Sequence, residues 1–215
     1  MRELVEILAR VQASHEFSEC LAATNAIEGW LQPIEGYTLY LLAKDGPGTG
    51  AIVEIGSFKG RSTAFLAMGS KRASRGPVTA IDHFRGSPEH QPGTAGEVRE
   101  LVESGSTFPT FRRNLETAGL WDQVEPVETS SQEAARSWNQ PIRLLFIDGD
   151  HSYESSRTDY LSFERFVVDG GIICFHDIGN CEGVTRFYNE GIVGKSGLFP
   201  LFQAGTLAVV QKTAG

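Results

Sequence analysis

The 215-residue sequence has few cysteines (three) and few methionines (two). Cys20, Cys174 and Cys181 show neither an even pairing nor metal-ligand spacing. That excludes a disulfide scaffold and a cysteine-built zinc module, and it predicts a reducing, cytoplasmic setting. Basic residues are also scarce, 19 Lys and Arg against 27 Asp and Glu, for a formal net charge of −8. With no basic stripe to meet a phosphate backbone, nucleic acid is not expected as a partner. No apolar run approaches the roughly 20 residues of a membrane-spanning helix, and the N-terminus lacks the apolar core of a signal peptide, so no membrane partner is expected. Internal repeats and low-complexity tracts are absent as well.

What is present reads as one α/β unit. Hydrophobic content is 40% and charged content 21%, and the length suits one domain with a proper core. Leu4, Ile7, Leu8 and Val11 form a helical stripe, and residues 1 to 30 read as one or two amphipathic helices. A helix near Glu35 to Ala43 leads to the turn at 44–48, and strands and helices then alternate. Strands are predicted at Ala51–Ile55, Val78–Ile81 and Val124–Val127, with Pro126 placing the third at an edge. Two further strands run to Asp148 and Asp177. Helices are predicted over Arg61–Lys71, along the Phe108, Phe111, Leu115, Ala118 face with Gly119 as C-cap, from a Ser130/Glu133 capping box to Trp138, and near Gly183–Asn189. Between the last two strands Tyr160, Phe163 and Val167 are expected to face the core from a helix. Residues 83–106 read as a long polar loop, with His83, Phe84 and Arg85 as candidate lid residues. The tail reads as a hairpin, Leu198–Phe202 and Leu207–Val210 around a Gln203-Ala204-Gly205 turn. Alternation of this kind predicts a doubly wound parallel sheet. The expected division is a helical extension or lid over 1–36 and the main domain over 37–215.

Two of these apolar runs end in acid and histidine. Leu144 to Ile147 runs into Asp148-Gly149-Asp150-His151, and Ile172 to Phe175 runs into His176-Asp177, His176 falling 28 residues after Asp148. Short apolar runs bounded by Gly and polar residues read as buried parallel strands, and the gap suits one crossover helix. Both clusters would then meet at the carboxyl edge of the sheet, where open α/β sheets bind ligands. The first strand-to-helix turn, Glu54-Ile55-Gly56-Ser57-Phe58-Lys59-Gly60-Arg61-Ser62-Thr63, combines glycines with the free amides of a helix N-terminus. It lacks the third glycine of the dinucleotide fingerprint. Asp82, one β-α unit later, ends the second strand where an acid can accept hydrogen bonds from a ribose diol.

Taken together, Glu54-x-Gly56-x-x-x-Gly60-x-Ser62-Thr63, Asp82, Phe146 through Glu154, Gly170-Gly171 and His176-Asp177 resemble the class I S-adenosylmethionine-dependent methyltransferases. The sequence is most similar to a small bacterial group that includes macrolide-sugar O-methyltransferases and cephalosporin-hydroxylase-type proteins. The resemblance covers roughly residues 29 to 212, including Glu28-Gly29-Trp30-Leu31 and the hairpin. It implies a Rossmann-like, doubly wound, mostly parallel seven-stranded sheet whose last strand is antiparallel, with helices on both faces and an N-terminal helical extension. It implies S-adenosyl-L-methionine as cofactor, with Glu54, Gly56, Ser57 and Gly60 at the methionine end and Ser62 and Asp148 in the same binding set. Asp82 would hold the ribose, and Ser131 and Gln132 the adenine. Asp148 and His151 would be the catalytic pair, His151 as base.

By the same resemblance Asp148, His176 and Asp177 would bind a divalent metal. The similar magnesium enzymes carry Glu at the place of His176. Magnesium prefers oxygen ligands, so histidine here implies a weakened magnesium site, a softer ion such as manganese, iron or zinc, or no metal. The function that follows is O-methylation of a small hydroxylated acceptor. Two other classes stay open: a nicotinamide-dependent oxidoreductase, which the missing glycine and the closing hairpin argue against, and a non-catalytic cofactor-binding module. The acceptor could be a sugar, phenol, carboxylate or amine. The N-terminal helices could form a homo-oligomer or cover the acceptor pocket.

Overall fold

The computed structural model describes residues 15–214, so the stripe of Leu4, Ile7, Leu8 and Val11 lies outside the described residues. Among these residues two helices lead in, α1 (His15–Thr24) and α2 (Pro33–Asp45). The strand β1 (Ala51–Ile55) is followed by α3 (Arg61–Arg72), β2 (Val78–Asp82), the short α4 (Arg99–Ser104) and α5 (Phe108–Thr117). Then come β3 (Val124–Glu128), α6 (Ser131–Ser137), β4 (Ile142–Ile147), α7 (Tyr153–Phe163), β5 (Val167–Phe175), α8 (Glu182–Gly191), β6 (Leu198–Ala204) and β7 (Leu207–Lys212).

The seven strands form one sheet in the order β3-β2-β1-β4-β5-β7-β6. β1 to β5 pair in parallel, and β7 runs antiparallel to both β5 and β6. Val53 is level with Thr79 on one side and Leu145 on the other, and Leu145 with Ile173. Because side chains alternate across a strand, this register sorts the core into two layers. Ile52, Leu144, Ile172 and Val209 face α1, α2, α3 and α5 through Phe17, Leu39, Phe65 and Phe111. Val53, Leu145, Ile173 and Val210 face α6, α7 and α8 through Ala134, Phe163 and Phe187. The strand order reverses between β1 and β4, and the crevice at their carboxyl ends is the ligand position of such sheets.

Several boundaries differ from the expectation, each for a local reason. Val167 does not ride on α7: that helix stops at Phe163, one 3-10 turn follows, and Val167 opens β5 level with Ile142. β4 and β5 end at Ile147 and Phe175, although the Asp148 amide still donates to Ile55 and the His176 amide to Ile147. The hairpin pairs through Ala204 and Leu207, so its turn is Gly205-Thr206, and Gln203 and Ala204 belong to β6. Segment 83–106 contains a 3-10 turn at Pro88–His90 and α4. Phe84 is no lid residue; it is fully buried against Phe108 and Phe111. The division expected at residue 36 falls inside α2, which packs against α3 as part of the main core. The Ser130 hydroxyl accepts from the Glu133 amide, while the Glu133 carboxylate turns to Arg136. All three cysteines are free thiols, and no helix among the described residues is long and apolar enough to cross a membrane.

Candidate active site

A cavity of about 630 Å³ opens at the carboxyl ends of β1, β2 and β4. Pockets of this size hold ligands of cofactor or drug dimensions. His83, His90, His151 and His176 all line it, four of the chain's five histidines. So do the predicted residues Gly56, Ser57, Ser62 and Asp82, the pair Ser131 and Gln132, and Asp148 and Asp177.

Gly56 is required by its surroundings. It sits at φ 85°, and a Cβ there would lie 2.0 Å from the Asp148 carbonyl oxygen. The β1 loop and the end of β4 are thus pressed together under the cavity. Asp82 holds the next residues: its Oδ2 accepts from the amides of Ser57 (2.8 Å) and Phe58 (2.9 Å), and its Oδ1 from the Phe84 amide (2.6 Å). A carboxylate has about four acceptor positions, so Asp82 keeps capacity for a ligand hydroxyl while bracing the loop.

Two predicted cofactor residues lie elsewhere than expected. Glu54 is fully buried and does not line the cavity; its Oε2 accepts from the hydroxyls of Ser57 (2.8 Å) and Thr63 (2.5 Å). It is a strut between the loop and α3, and burial pushes its carboxyl up to about 7. Gly60 also lies off the cavity. It takes φ 92° as the residue before α3, and a Cβ there would press on Phe111 at 3.1 Å. Both residues shape the loop from beneath. Lys59 between them is buried and pairs with Glu28 and Glu100, each at 2.8 Å. The rings of Trp30 and His90 stack at 5.1 Å, with Phe58 5.6 Å from His90, and all three line the cavity.

The polar cluster assembles as the strand spacing requires. His151 Nε2 lies 3.1 Å from Asp177 Oδ2, and its Nδ1 lies 2.8 Å from Glu89 Oε1. The hydrogen bond with Asp177, opposed by desolvation, holds the imidazole pKa up at about 9. His176 is only 4% exposed. Its Nδ1 lies 3.0 Å from Asp148 Oδ1 and 3.3 Å from Asp177 Oδ2, and its Nε2 lies 3.1 Å from Glu35 Oε2. Burial opposes the charge on this ring, but three surrounding carboxylates prevail and raise its pKa far above the usual imidazole range.

Glu35, on α2, was not expected at the site. Beyond His176, its carboxylate accepts from the amides of Gln32 (2.7 Å) and Thr206 (2.6 Å) and from the Thr206 hydroxyl (2.9 Å). In sequence it looks like an ordinary acid in the first turn of a helix, and its main partner is 141 residues away. Asp159 was also missed. It lies on α7, lines the cavity and is buried, its Oδ1 accepting from the Ser131 hydroxyl at 2.5 Å. Burial lifts its carboxyl to about 6.

The residues fit the groups the fold implies. A glycine-forced loop that brings Ser57 and Ser62 to the cavity wall, and a braced acid at the next strand end, form a long polar cradle. Asp148, His176 and Asp177 offer one donor atom each within 4.8 Å of one another. With Nε2 facing Glu35, Nδ1 is the nitrogen turned toward the two aspartates, the arrangement by which a carboxylate orients a histidine ligand. Two carboxylates and one imidazole suit a borderline divalent ion better than magnesium.

Comparison with known proteins agrees with this geometry. The profile of a family described as a methyltransferase domain matches residues 53–178. Among solved structures, the O-methyltransferase NovP is similar over 83% of this chain and 79% of its own, at 19% identity and a TM-score of 0.67. An O-methyltransferase from Bacillus cereus in complex with SAH is similar over 92% and 89%, at 21% identity and a TM-score of 0.61. TomG from Streptomyces achromogenes, an O-methyltransferase involved in tomaymycin synthesis and solved with SAM, is similar over 96% and 95%, at 16% identity and a TM-score of 0.62. At such identities these structures establish the shared fold, and the family assignment rests on the profile spanning more than half of the sequence. From β1 and the glycine loop that follows it to the His-Asp pair after β5, the chain belongs to this methyltransferase family.

Proposed function

We propose that this protein transfers the methyl group of S-adenosylmethionine to a hydroxyl oxygen of a small acceptor. The observation that carries the proposal is that one cavity holds both the Gly56–Ser62 loop with Asp82 and the cluster of Asp148, His151, His176 and Asp177. The first set suits a nucleoside linked to an amino acid; the second suits activation of an acceptor. The names of NovP, TomG and the Bacillus cereus enzyme support the choice of oxygen.

The sulfonium methyl is already electrophilic, so the chain's own residues align the acceptor and take its proton. Alignment alone supplies several kcal/mol of the barrier. Asp177 holds His151 at Nε2, leaving Nδ1 to receive the acceptor proton. Glu89, now against Nδ1, is the group that the acceptor hydroxyl replaces, and removing that carboxylate lowers the ring's proton affinity. Asp148, His176 and Asp177 would hold a divalent cation, which when bound lowers the pKa of a ligated hydroxyl. Trp30, Phe58 and His90 form a stacked aromatic cluster against which an acceptor ring can pack.

Thermal denaturation with S-adenosylhomocysteine, with NAD in parallel, tests the cofactor. At about a hundredfold over its dissociation constant the right ligand adds about 2.7 kcal/mol. A shift with NAD alone would favour the oxidoreductase reading. A shift with S-adenosylhomocysteine, without turnover across a panel of hydroxylated metabolites, would favour a non-catalytic module.

A further inference from the structure

Asp159 is 6% exposed, yet it belongs to the cavity wall. One of its oxygens is used: Oδ1 accepts from the Ser131 hydroxyl. No protein donor among the described residues reaches Oδ2. That oxygen lies beside Gly149, where a Cβ would come within 2.6 Å of it. The missing side chain at 149 leaves Oδ2 its room. Asp82 and Asp150 are near enough to oppose ionisation of the carboxyl, and burial opposes it more strongly. A carboxylate kept in such a place without a second protein donor is matched to a donor on a ligand.

Resting on the cofactor reading above, we infer that Asp159 recognises the exocyclic 6-amino group of the cofactor's adenine and so selects adenine over 6-oxopurine. The position agrees. On that cofactor reading Asp82 would hold the ribose and Ser131 and Gln132 the adenine; all three line the same cavity as Asp159, and Asp159 is bonded directly to Ser131. The 6-amino group is the only N–H donor that N9-linked adenine presents. Hypoxanthine puts an oxygen at the same place, which would face Oδ2 acceptor to acceptor. Ser131 is then a positioning residue: its hydroxyl fixes Oδ1, and thereby the direction of Oδ2.

The test is titration calorimetry of the full chain with S-adenosylhomocysteine and with S-inosylhomocysteine. Wild type is expected to prefer the adenosyl ligand roughly 10- to 100-fold, the range of one hydrogen bond to a charged group. Asp159→Asn presents either a carbonyl or an amide to the base, and the Ser131 hydroxyl can donate or accept in response. The isostere is therefore expected to bring the two affinities close to equal. Asp159→Ala, which bonds neither ring, is the second variant and is expected to equalise them as well. Circular dichroism confirms that both variants are folded. Wild type that binds the two ligands alike overturns the inference alone, as does an unchanged preference in both variants. Wild type that binds neither overturns the cofactor reading and this inference together.

Discussion

Replacing Asp159 by Asn should make the protein more stable at neutral and alkaline pH. Burial raises the carboxyl from 3.8 to about 6, so the folded state holds this proton more tightly than the unfolded chain. An acid of this kind weakens the fold as pH rises: the penalty is absent below the unfolded value, grows between the two, and is complete above the folded one. The difference corresponds to about 3 kcal/mol at full ionisation. Asn keeps the shape and still accepts from the Ser131 hydroxyl, so the variant should recover most of that figure. For a domain of this length, about 3 kcal/mol is roughly 6–12 °C in Tm. The assay is calorimetric melting of both proteins from about pH 4 to about pH 8, with the gap widening up to about pH 6 and level above it. Parallel pH profiles, or a variant less stable than wild type at the alkaline end, would refute the claim that Asp159 is held at a desolvation cost.

Three further outcomes are expected. His151→Ala should bind S-adenosylhomocysteine as wild type does yet lose turnover by about 100-fold or more, the usual share of a general base; calorimetry beside a methyl-transfer assay checks both, and full turnover would leave alignment alone as the source of rate. Gly56→Ala should cost several kcal/mol, because a positive φ and a carbonyl oxygen 2.0 Å from the new Cβ act together; a urea midpoint equal to wild type would contradict that crowding. Glu35→Ala strips His176, Thr206 and Gln32 of a shared acceptor and should destabilise by about 3–5 kcal/mol, the range for breaking a buried pair; a loss under about 1 kcal/mol in equilibrium denaturation would mean that water replaces the carboxylate.

Strand positions were legible because each apolar run is short and framed by glycine or charge; Ala51–Ile55 is an instance. Since parallel strands present their carboxyl ends on one side, Asp148, His151, His176 and Asp177 could be placed together from chain order alone. Residues that act through distant partners were not legible. Glu35 reads as a helix-start acid, and nothing near it in sequence announces His176 or Thr206. Phe84 is hidden by polar neighbours; its burial depends on Phe108 and Phe111, across an intervening segment. Asp159 did leave a trace. It shares the buried face of α7 with Ser156, Tyr160 and Phe163, three to four residues apart, and an acid on that face calls for a partner. Glu54 and Gly60 lie off the cavity and brace the loop from beneath: the motif includes residues that build the loop as well as residues that face the cavity.

Glu35 also bears on where this protein can be cut. The stretch matching the methyltransferase family, residues 53–178, contains His176 but neither Glu35 nor Thr206. Excised, that stretch would leave the inner nitrogen of His176 facing no carboxylate, and β5 without its antiparallel neighbour. The helix before the first strand and the turn of the last hairpin are joined through one carboxylate, behind the cluster of Asp148, His176 and Asp177. A minimal active fragment therefore has to begin ahead of Gln32 and run past β7, and insertions or tags at Gly205-Thr206 would be felt at His176.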